Sequence, residues 1–404
     1  MSHVLVLNSG SSSIKYQLLD MAQGTPVASG IVERIGEGRS SLTHKVPAAD
    51  PGGETRRYER TEPYADHEAG LKAVLDAFAA AGPDLDAIRP AAVGHRVVHG
   101  GDRFGGAVLV DDGVESAIEE LAPLAPLHNP ANLAGIRGAR KAFPNVPQVA
   151  VFDTAFHQTL PPAAYTYAVP EEWRTGHKVR RYGFHGTSHA YVSRRAAAIL
   201  GQDPADTNVI VLHLGNGASA TAIESGRSVE TSMGLTPLEG LVMGTRSGDV
   251  DPSLPAYLAR NAGMSAAEVD TALNKRSGVL ALAGANDMRE VWRMVDEGHE
   301  GARLAVDVYC HRLRKYIGAY YAVLGSVDAL VFTAGVGEND ERVRAGAVAG
   351  LERLGLRIDP AKNDGLVRGT EQVISPEGAE VPVMVIPTDE ELEIAVQSLE
   401  LLGR

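Results

Sequence analysis

The sequence predicts an α/β fold in two domains. Three observations carry that expectation: short β-rich runs that end in glycine turns, helical segments readable between them, and a length of 404 residues, enough for two domains of ordinary size. Residues 4–7 (Val-Leu-Val-Leu) lead into Asn8-Ser9-Gly10-Ser11-Ser12-Ser13. Residues 209–212 (Val-Ile-Val-Leu) lead through His213 and Leu214 into Gly215-Asn216-Gly217, and residues 329–332 (Ala-Leu-Val-Phe) into Thr333-Ala334-Gly335-Val336-Gly337-Glu338-Asn339. Continuous apolar runs of this length suit strands buried on both faces. The first two runs are each followed by an alternating segment, 14–19 and 220–223, patterned to pair back as a hairpin. One copy of a duplicated architecture is therefore expected to begin each half of the chain.

Helices are expected between these strands. Asn129-Pro130 sets a capping residue and a first-turn proline ahead of 131–142. A helix is expected to begin at Thr187 or Ser188, run through 190–200 and stop at Gly201. Ser265 and Glu268 have capping-box spacing ahead of 269–274. Residues 302–324 form the longest helical pattern, amphipathic and rich in Tyr and Leu, as a central packing helix would be. Gly, Pro and charged residues over 36–61 read as an exposed loop or an edge-strand excursion.

Composition excludes several classes. Hydrophobic residues at 44% and charged residues at 22% are ordinary for a soluble globular protein. A formal charge of −13 repels polyanions, so no nucleic-acid or anionic-membrane partner is expected, and an anionic substrate must be drawn in by locally clustered cations. The single cysteine, Cys310, permits no internal disulfide and no cysteine-based metal cluster, as suits a reducing cytoplasm. No basic-then-apolar signal segment precedes residues 4–7, and no apolar run approaches the roughly 20 residues of a membrane span.

A glycine turn after a buried strand lets backbone N–H groups approach a phosphate without side-chain obstruction. Three such turns brought together are enough to hold a nucleotide. The first is neither a P-loop nor a dinucleotide fingerprint. It carries Asn8, Ser11, Ser13 and Lys15 instead, the donors that phosphates and a hydrated cation need.

The run Leu7-Asn8-Ser9-Gly10-Ser11-Ser12-Ser13-Ile14-Lys15 resembles the N-terminal signature of the acetokinase family, the acetate kinases of the actin, Hsp70 and sugar kinase superfamily. Gly94-His95-Arg96-Val97-Val98-His99-Gly100-Gly101, Val151-Phe152-Asp153-Thr154-Ala155-Phe156-His157 and Arg181-Tyr182-Gly183-Phe184-His185-Gly186-Thr187-Ser188-His189 are similar to family motifs. So are 213–217, Met243-Gly244-Thr245-Arg246-Ser247-Gly248-Asp249 and 335–339, all in matching order from residue 4 to beyond 390. The resemblance implies a two-domain, ribonuclease H-like fold with an interdomain nucleotide cleft. Domain I would take 1–152 plus 391–404, with the acceptor side and the N-terminal phosphate loop. Domain II would take 153–390, with nucleotide binding and dimerisation, and 302–324 would help build a homodimer. The implied reaction is reversible transfer of the ATP γ-phosphoryl group to acetate, giving acetyl phosphate and ADP, with Mg²⁺ or Mn²⁺.

The resemblance also implies roles. Arg96 would bind the acceptor carboxylate, while Arg246 and His185 would contact the transferring phosphoryl oxygens, a task the guanidinium fork suits. Val98, Leu127, Phe184 and Pro237 would form the acyl pocket. His213, Leu214, Gly215, Asn216, Gly217, Asp287, Met288, Arg289, Gly335, Val336, Gly337, Glu338 and Asn339 would hold the nucleotide, with Ser11, Ser13 and Lys15 on its phosphates. Asn8 and Glu390 would serve the metal. Asp153 matches the family's catalytic acid/base. A carboxylate acceptor with a pKa of about 4–5, by analogy with Asp and Glu, has no proton to surrender at pH 7, so Asp153 instead orients the magnesium shell or keeps Arg and His groups in place.

Bland readings stand beside these. His185 and His189 lie four apart, but Gly, Thr and Ser intervene where a zincin needs Glu, so His189 is expected to pack at the first helical turn. His95, His99, His128 and His157 are left between structural and functional roles. Asp287 also reads as a helix N-cap. Thr388 and Glu391 have capping-box spacing, which gives Glu391 a structural task and leaves Glu390 for the metal. Asp389 stands where the family usually has Asn. Propionate kinase is the nearest alternative and a non-catalytic nucleotide-responsive protein of the same fold a second. A dehydrogenase is disfavoured by the missing dinucleotide fingerprint.

Overall fold

A computed structural model describes residues 2–48 and 53–404. The chain divides into unit 1, Met1–Phe156 with Asp389–Arg404, and unit 2, His157–Thr388. Asp153 and Glu390 thus fall in unit 1 rather than beyond the expected boundaries at 152/153 and 390/391. Local hydrogen bonding is the reason. The Asp153 N–H donates to Val97 O, which extends the strand pairing, and Asp389 caps the helix that Glu390 begins.

In unit 1 the strands are β1 (His3–Ser9), β2 (Ser13–Asp20), β3 (Thr25–Glu33), β4 (Ser40–Val46), β5 (Arg56–Glu62), β6 (Ala92–Val97), β7 (Val108–Leu109) and β8 (Gln148–Phe152). Their order is β5-β4-β3-β2-β1-β6-β8-β7. Unit 2 has β9 (Val209–Leu214), β10 (Ala218–Glu224), β11 (Arg227–Thr231), β12 (Ala329–Thr333), β13 (Gln372–Val373) and β14 (Val383–Val385), in the order β11-β10-β9-β12-β14-β13. The two sheets share a plan. An antiparallel meander (β3-β2-β1, β11-β10-β9) continues into two parallel strands (β6 and β8, β12 and β14). The hairpins expected after the first two apolar runs are β1–β2 and β9–β10.

Among the connecting helices are α1 (His67–Ala81), α2 (Asn129–Ala142), α3 (Gly186–Leu200), α4 (Met288–Asp296), α5 (Glu300–Leu324) and α6 (Glu390–Leu401). Strand β1 shows why its sequence is apolar throughout. Leu5 and Leu7 pack with Ile14, Tyr16 and Phe78 of α1 on one face. Val4 and Val6 pack with Val149, Val151 and Ile394 of α6 on the other. Each such buried side chain stabilises by about 1.5–3 kcal/mol relative to exposure. Helix α6 approaches β6 so closely that a Cβ at Gly94 would lie 2.8 Å from Ile394 Cγ2 and 2.9 Å from Ser398 Oγ, so only glycine admits it. In unit 2, α5 packs against β9 and β10 with Val306, Leu313 and Ile317 buried. No helix among the described residues is long and apolar enough to cross a membrane.

Segment 36–61 supplies β4 and the edge strand β5, the strand alternative expected for it, and its residues 49–52 lie outside the described residues. Several other local expectations change. Asn129 is not the cap of α2, a place that His128 takes. The Asn129 amide instead accepts from His99 N at 3.1 Å and donates to His99 O at 3.0 Å. The third glycine turn is a short helix, Ala334–Asn339, entered through Ala334 at φ 64°. Fully buried Arg344 donates to Gly337 O at 3.0 Å and Glu338 O at 3.1 Å, binding carbonyls that the end of that helix leaves open. The Thr388–Glu391 capping box does not form either. Asp389 accepts from Leu392 N at 2.9 Å, the same service an Asn gives, and Thr388 Oγ1 meets Ser188 Oγ at 2.8 Å. The Ser265–Glu268 capping box and the Gly201 stop are present.

Candidate active site

Unit 1 gathers its polar residues where β1, β6 and β8 end. The β1–β2 turn closes by Gly10 N donating to Ser13 O at 2.8 Å, with Asn8 opposite Lys15 in register. Ser11 and Lys15 are exposed and Ser13 is half-buried. Arg96 near the end of β6 meets Asp153 just beyond β8. Its Nε donates to Oδ1 at 3.1 Å and its Nη2 to Oδ2 at 2.6 Å, while Nη1 reaches Asn8 Oδ1 at 3.3 Å. Asp153 is 2% exposed and Arg96 22%. Burial pushes the Asp153 carboxyl up and the Arg96 charge draws it back. Burial disfavours the Arg96 charge in turn, but Asp153 and Glu390 more than offset it and hold the guanidinium above its ordinary value. Glu390, on the first turn of α6, thus bears on the same pair. Burial pushes Glu391 up, opposed by Lys15. Val98 is buried and Leu127 exposed.

The segment after Arg96 is clamped by residues that sequence reasoning missed. Buried Asn132 of α2 accepts from Val98 N at 3.0 Å and donates to Ser9 O at 2.7 Å, joining the ends of β6 and β1. An asparagine three residues after Asn129, in the first turn of α2, is the available signal.

Unit 2 holds a second cluster around the β9–β10 turn. Gly215 N donates to Gly217 O at 3.0 Å, and Gly244 N to Asn216 O at 3.1 Å, which ties the Arg246 loop to the turn. A Cβ at Gly217 would stand 3.3 Å from Arg246 Nη1 and 3.8 Å from His185 Nε2. His185 precedes α3 at φ 55°, a left-handed conformation that holds its ring parallel to His213, centroids 4.1 Å apart. Half-buried Arg246 donates to Pro237 O at 3.1 Å and has no carboxylate partner among the described residues; burial lowers its pKa. Phe184 is buried and Pro237 half-buried.

Beside this cluster, within unit 2, lies a cavity of about 670 Å³. Gly215, Asn216, Asp287, Met288 and Arg289 line it, with Gly335, Val336 and Asn339 on another wall. Asp287 caps α4 through Arg289 N, and the Arg289 side chain holds its carboxyl down at about 2. Leu214 is buried within β9, and Gly337 and Glu338 serve the fold. Gly337 packs against the Phe332 backbone, and Glu338 accepts from Thr388 N at 3.3 Å. Trp292 and Tyr309 also line the cavity and were missed, because which face of α4 and α5 meets it depends on packing.

The donor set suits a hard cation. Asn8 Oδ1 and the Glu390 carboxylate offer hard oxygen donors beside Arg96, and no cluster of three or more His, Cys, Asp or Glu among the described residues forms a closed metal cage. Magnesium is commonly held by one or two carboxylates with phosphates and water, so these residues fit it.

The chain matches the family model described as the acetokinase family over residues 3–396. It belongs to that family. It is 61% identical to an acetate kinase of Streptomyces griseus over 401 residues, 99% of this chain and 96% of that one. The crystal structure of a Porphyromonas gingivalis acetate kinase aligns with a TM-score of 0.93 at 45% identity, covering 100% of both chains. That of a propionate kinase from Francisella tularensis aligns at 0.89 and 42%, covering 98% of this chain and 99% of that one.

In this acetokinase fold the Arg96–Asp153 pair is predicted to be strongly coupled. Asp153→Ala leaves a mostly buried guanidinium unpaired and is expected to destabilise unit 1 by about 3–5 kcal/mol. Arg96→Ala together with Asp153→Ala is expected to cost clearly less than the sum of the single changes. Denaturant unfolding of the four proteins measures this, and additive losses would show that the pair does not interact as drawn.

Proposed function

We propose that the enzyme reversibly transfers the γ-phosphoryl group of ATP to acetate, giving acetyl phosphate and ADP. The observation that carries this reading is Arg246, a half-buried guanidinium with no carboxylate among the described residues to neutralise it, beside a glycine turn and His185. Such a cation calls for an anion, and a transferring phosphoryl group spreads its charge over oxygens that a guanidinium fork can hold. In this reading Arg96, aimed by Asp153, takes the acetate carboxylate. His185 and Arg246 donate to phosphoryl oxygens. Lys15, Ser11 and Ser13 meet phosphates, and the 670 Å³ cavity takes the nucleotide. Acetate is already ionised at neutral pH, so no proton has to leave it, and the paired geometry of Asp153 supports a positioning role over acid/base work. Asn8 and Glu390 would hold Mg²⁺, in part through water. When bound, the ion neutralises charge on the phosphates. A non-catalytic nucleotide sensor leaves Arg96 and Arg246 without a joint task.

Acetate is read as the preferred acid over propionate because Val98 and Pro237 are branched or stiff, and overfilling strains a packed pocket. One methylene is worth only about 1–3 kcal/mol, or 10–200-fold, so propionate is expected to be a poorer substrate. The decisive assay is acyl phosphate formation against acetate, propionate and butyrate with ATP. Acetate should lead in kcat/KM, and Val98→Ala should narrow its lead over propionate. Equal values in the unmodified enzyme would favour a propionate kinase, and no acyl phosphate from any acid would end the kinase reading.

The enzyme is further proposed to work in the cytoplasm, which its lone, buried Cys310 suits, and as a homodimer built on α5, where Leu304 and Val323 are each 53% exposed. Light scattering should report twice the 42.6 kDa chain mass, and a single-chain mass at working concentration would remove the dimer. Recovery of the activity with membranes on cell fractionation would contradict the location.

A further inference from the structure

We propose that Ser219 is a positioning residue: a chain running His189 Nε2–H to Ser219 Oγ, then Ser219 O–H to His185 Nδ1, fixes His185 as the tautomer that carries its proton on Nε2. Ser219 on β10 is fully buried, and its Oγ lies 2.7 Å from His189 Nε2 and 2.9 Å from His185 Nδ1. A hydroxyl has one proton, so it donates to one ring nitrogen and accepts from the other. Which way the chain runs is decided at its buried end.

His189 is fully buried on α3, and its Nδ1 has no hydrogen-bond partner among the described residues. Burial first, then the neighbouring His157 and His213 rings, hold its pKa well below the ordinary value, so it carries a single proton. With that proton on Nδ1, an N–H would be buried with no acceptor, a rare and unfavourable arrangement. The proton therefore sits on Nε2 and donates to Ser219. The neighbouring His157 uses both its nitrogens elsewhere, Nδ1 with Ser228 Oγ at 2.8 Å and Nε2 donating to Phe184 O at 2.9 Å. Ser219 must then turn its own proton to His185 Nδ1, which accepts it. The remaining His185 proton is on Nε2.

That edge of His185 faces the glycine turn. The Cε1 and Nε2 atoms lie 3.7 and 3.8 Å from where a Gly217 Cβ would be, and Arg246 Nη1 stands 3.3 Å from the same point. His185 thus presents a neutral N–H donor beside the uncompensated guanidinium, needing no charge on the imidazole to do so. The four-residue spacing of His185 and His189 has its explanation here, as two rings converging on one hydroxyl.

The kinetic consequence rests on the proposed contact between His185 and the phosphoryl group, whereas the tautomer is read independently of activity. In ¹⁵N-labelled protein, long-range imidazole spectra should show His185 protonated at Nε2 and bare at Nδ1, its signals assigned by their loss in His185→Gln. Ser219→Ala should mix the tautomers and lower kcat about tenfold, with the KM values for ATP and acetate changed less than about twofold. Ser219→Thr, which keeps the hydroxyl, should restore both the spectrum and kcat. A proton on His185 Nδ1 in the unmodified protein overturns the chain, as does Ser219→Ala turning over at the unmodified rate. If the unmodified protein makes no acyl phosphate, the proposed function fails while the spectrum still decides the tautomer.

Discussion

A half-buried positive charge with no carboxylate partner among the described residues, Arg246, is the constraint around which this part of unit 2 is built. Arg246 gives up part of its hydration and receives the Pro237 carbonyl and, at 3.8 Å, the Met243 sulfur in return. The surrounding backbone is arranged to keep it there. Gly278 packs so close that a Cβ would lie 2.1 Å from Met243 O and 2.7 Å from Arg246 O, and Gly244 is bonded to the β9–β10 turn. In the proposed reading that charge is kept for a ligand. In a protein of net charge −13, local cations of this kind would draw in an anionic substrate.

Unit 1 treats its central guanidinium in the opposite way. Arg96 is paired at two points by Asp153 and touched by Asn8, so its charge is balanced and its direction fixed. In the proposed reaction a monocarboxylate acceptor would need orientation more than raw attraction, and a pre-aimed fork would supply it. A polyanionic phosphoryl group in flight would need charge, and the bare fork would supply that. Two arginines with the same side chain thus stand in different electrostatic settings, according to whether a carboxylate accompanies them.

The strands were legible because β1, β9 and β12 are buried on both faces, which writes an unbroken apolar run into the sequence, and helix ends at Ser265 and Gly201 were legible because capping is local. Pairings across long separations were not. Asn132 reaches Ser9 and Asn129 reaches His99 only after the sheet has assembled, so Asn129 looked like a cap and Asn132 like nothing. Asp389 looked like a departure from the family pattern and proves to be the helix cap, a task Asp and Asn share. The candidate site residues are expected from family strings alone; that Asp153 grips Arg96, and that His185 and His189 share one hydroxyl, came only with three-dimensional proximity. Trp292 and Tyr309 escaped because a helical pattern gives an apolar stripe without saying what faces it.

The central claim is that Arg246 keeps its charge for the transferring phosphoryl group. Its most direct test is turnover of Arg246→Ala with and without added guanidinium ion. The account predicts a fall in kcat of about 10²–10³, partly and saturably restored by guanidinium, with the fold unchanged by circular dichroism. Near-wild-type turnover by Arg246→Ala without guanidinium would contradict it.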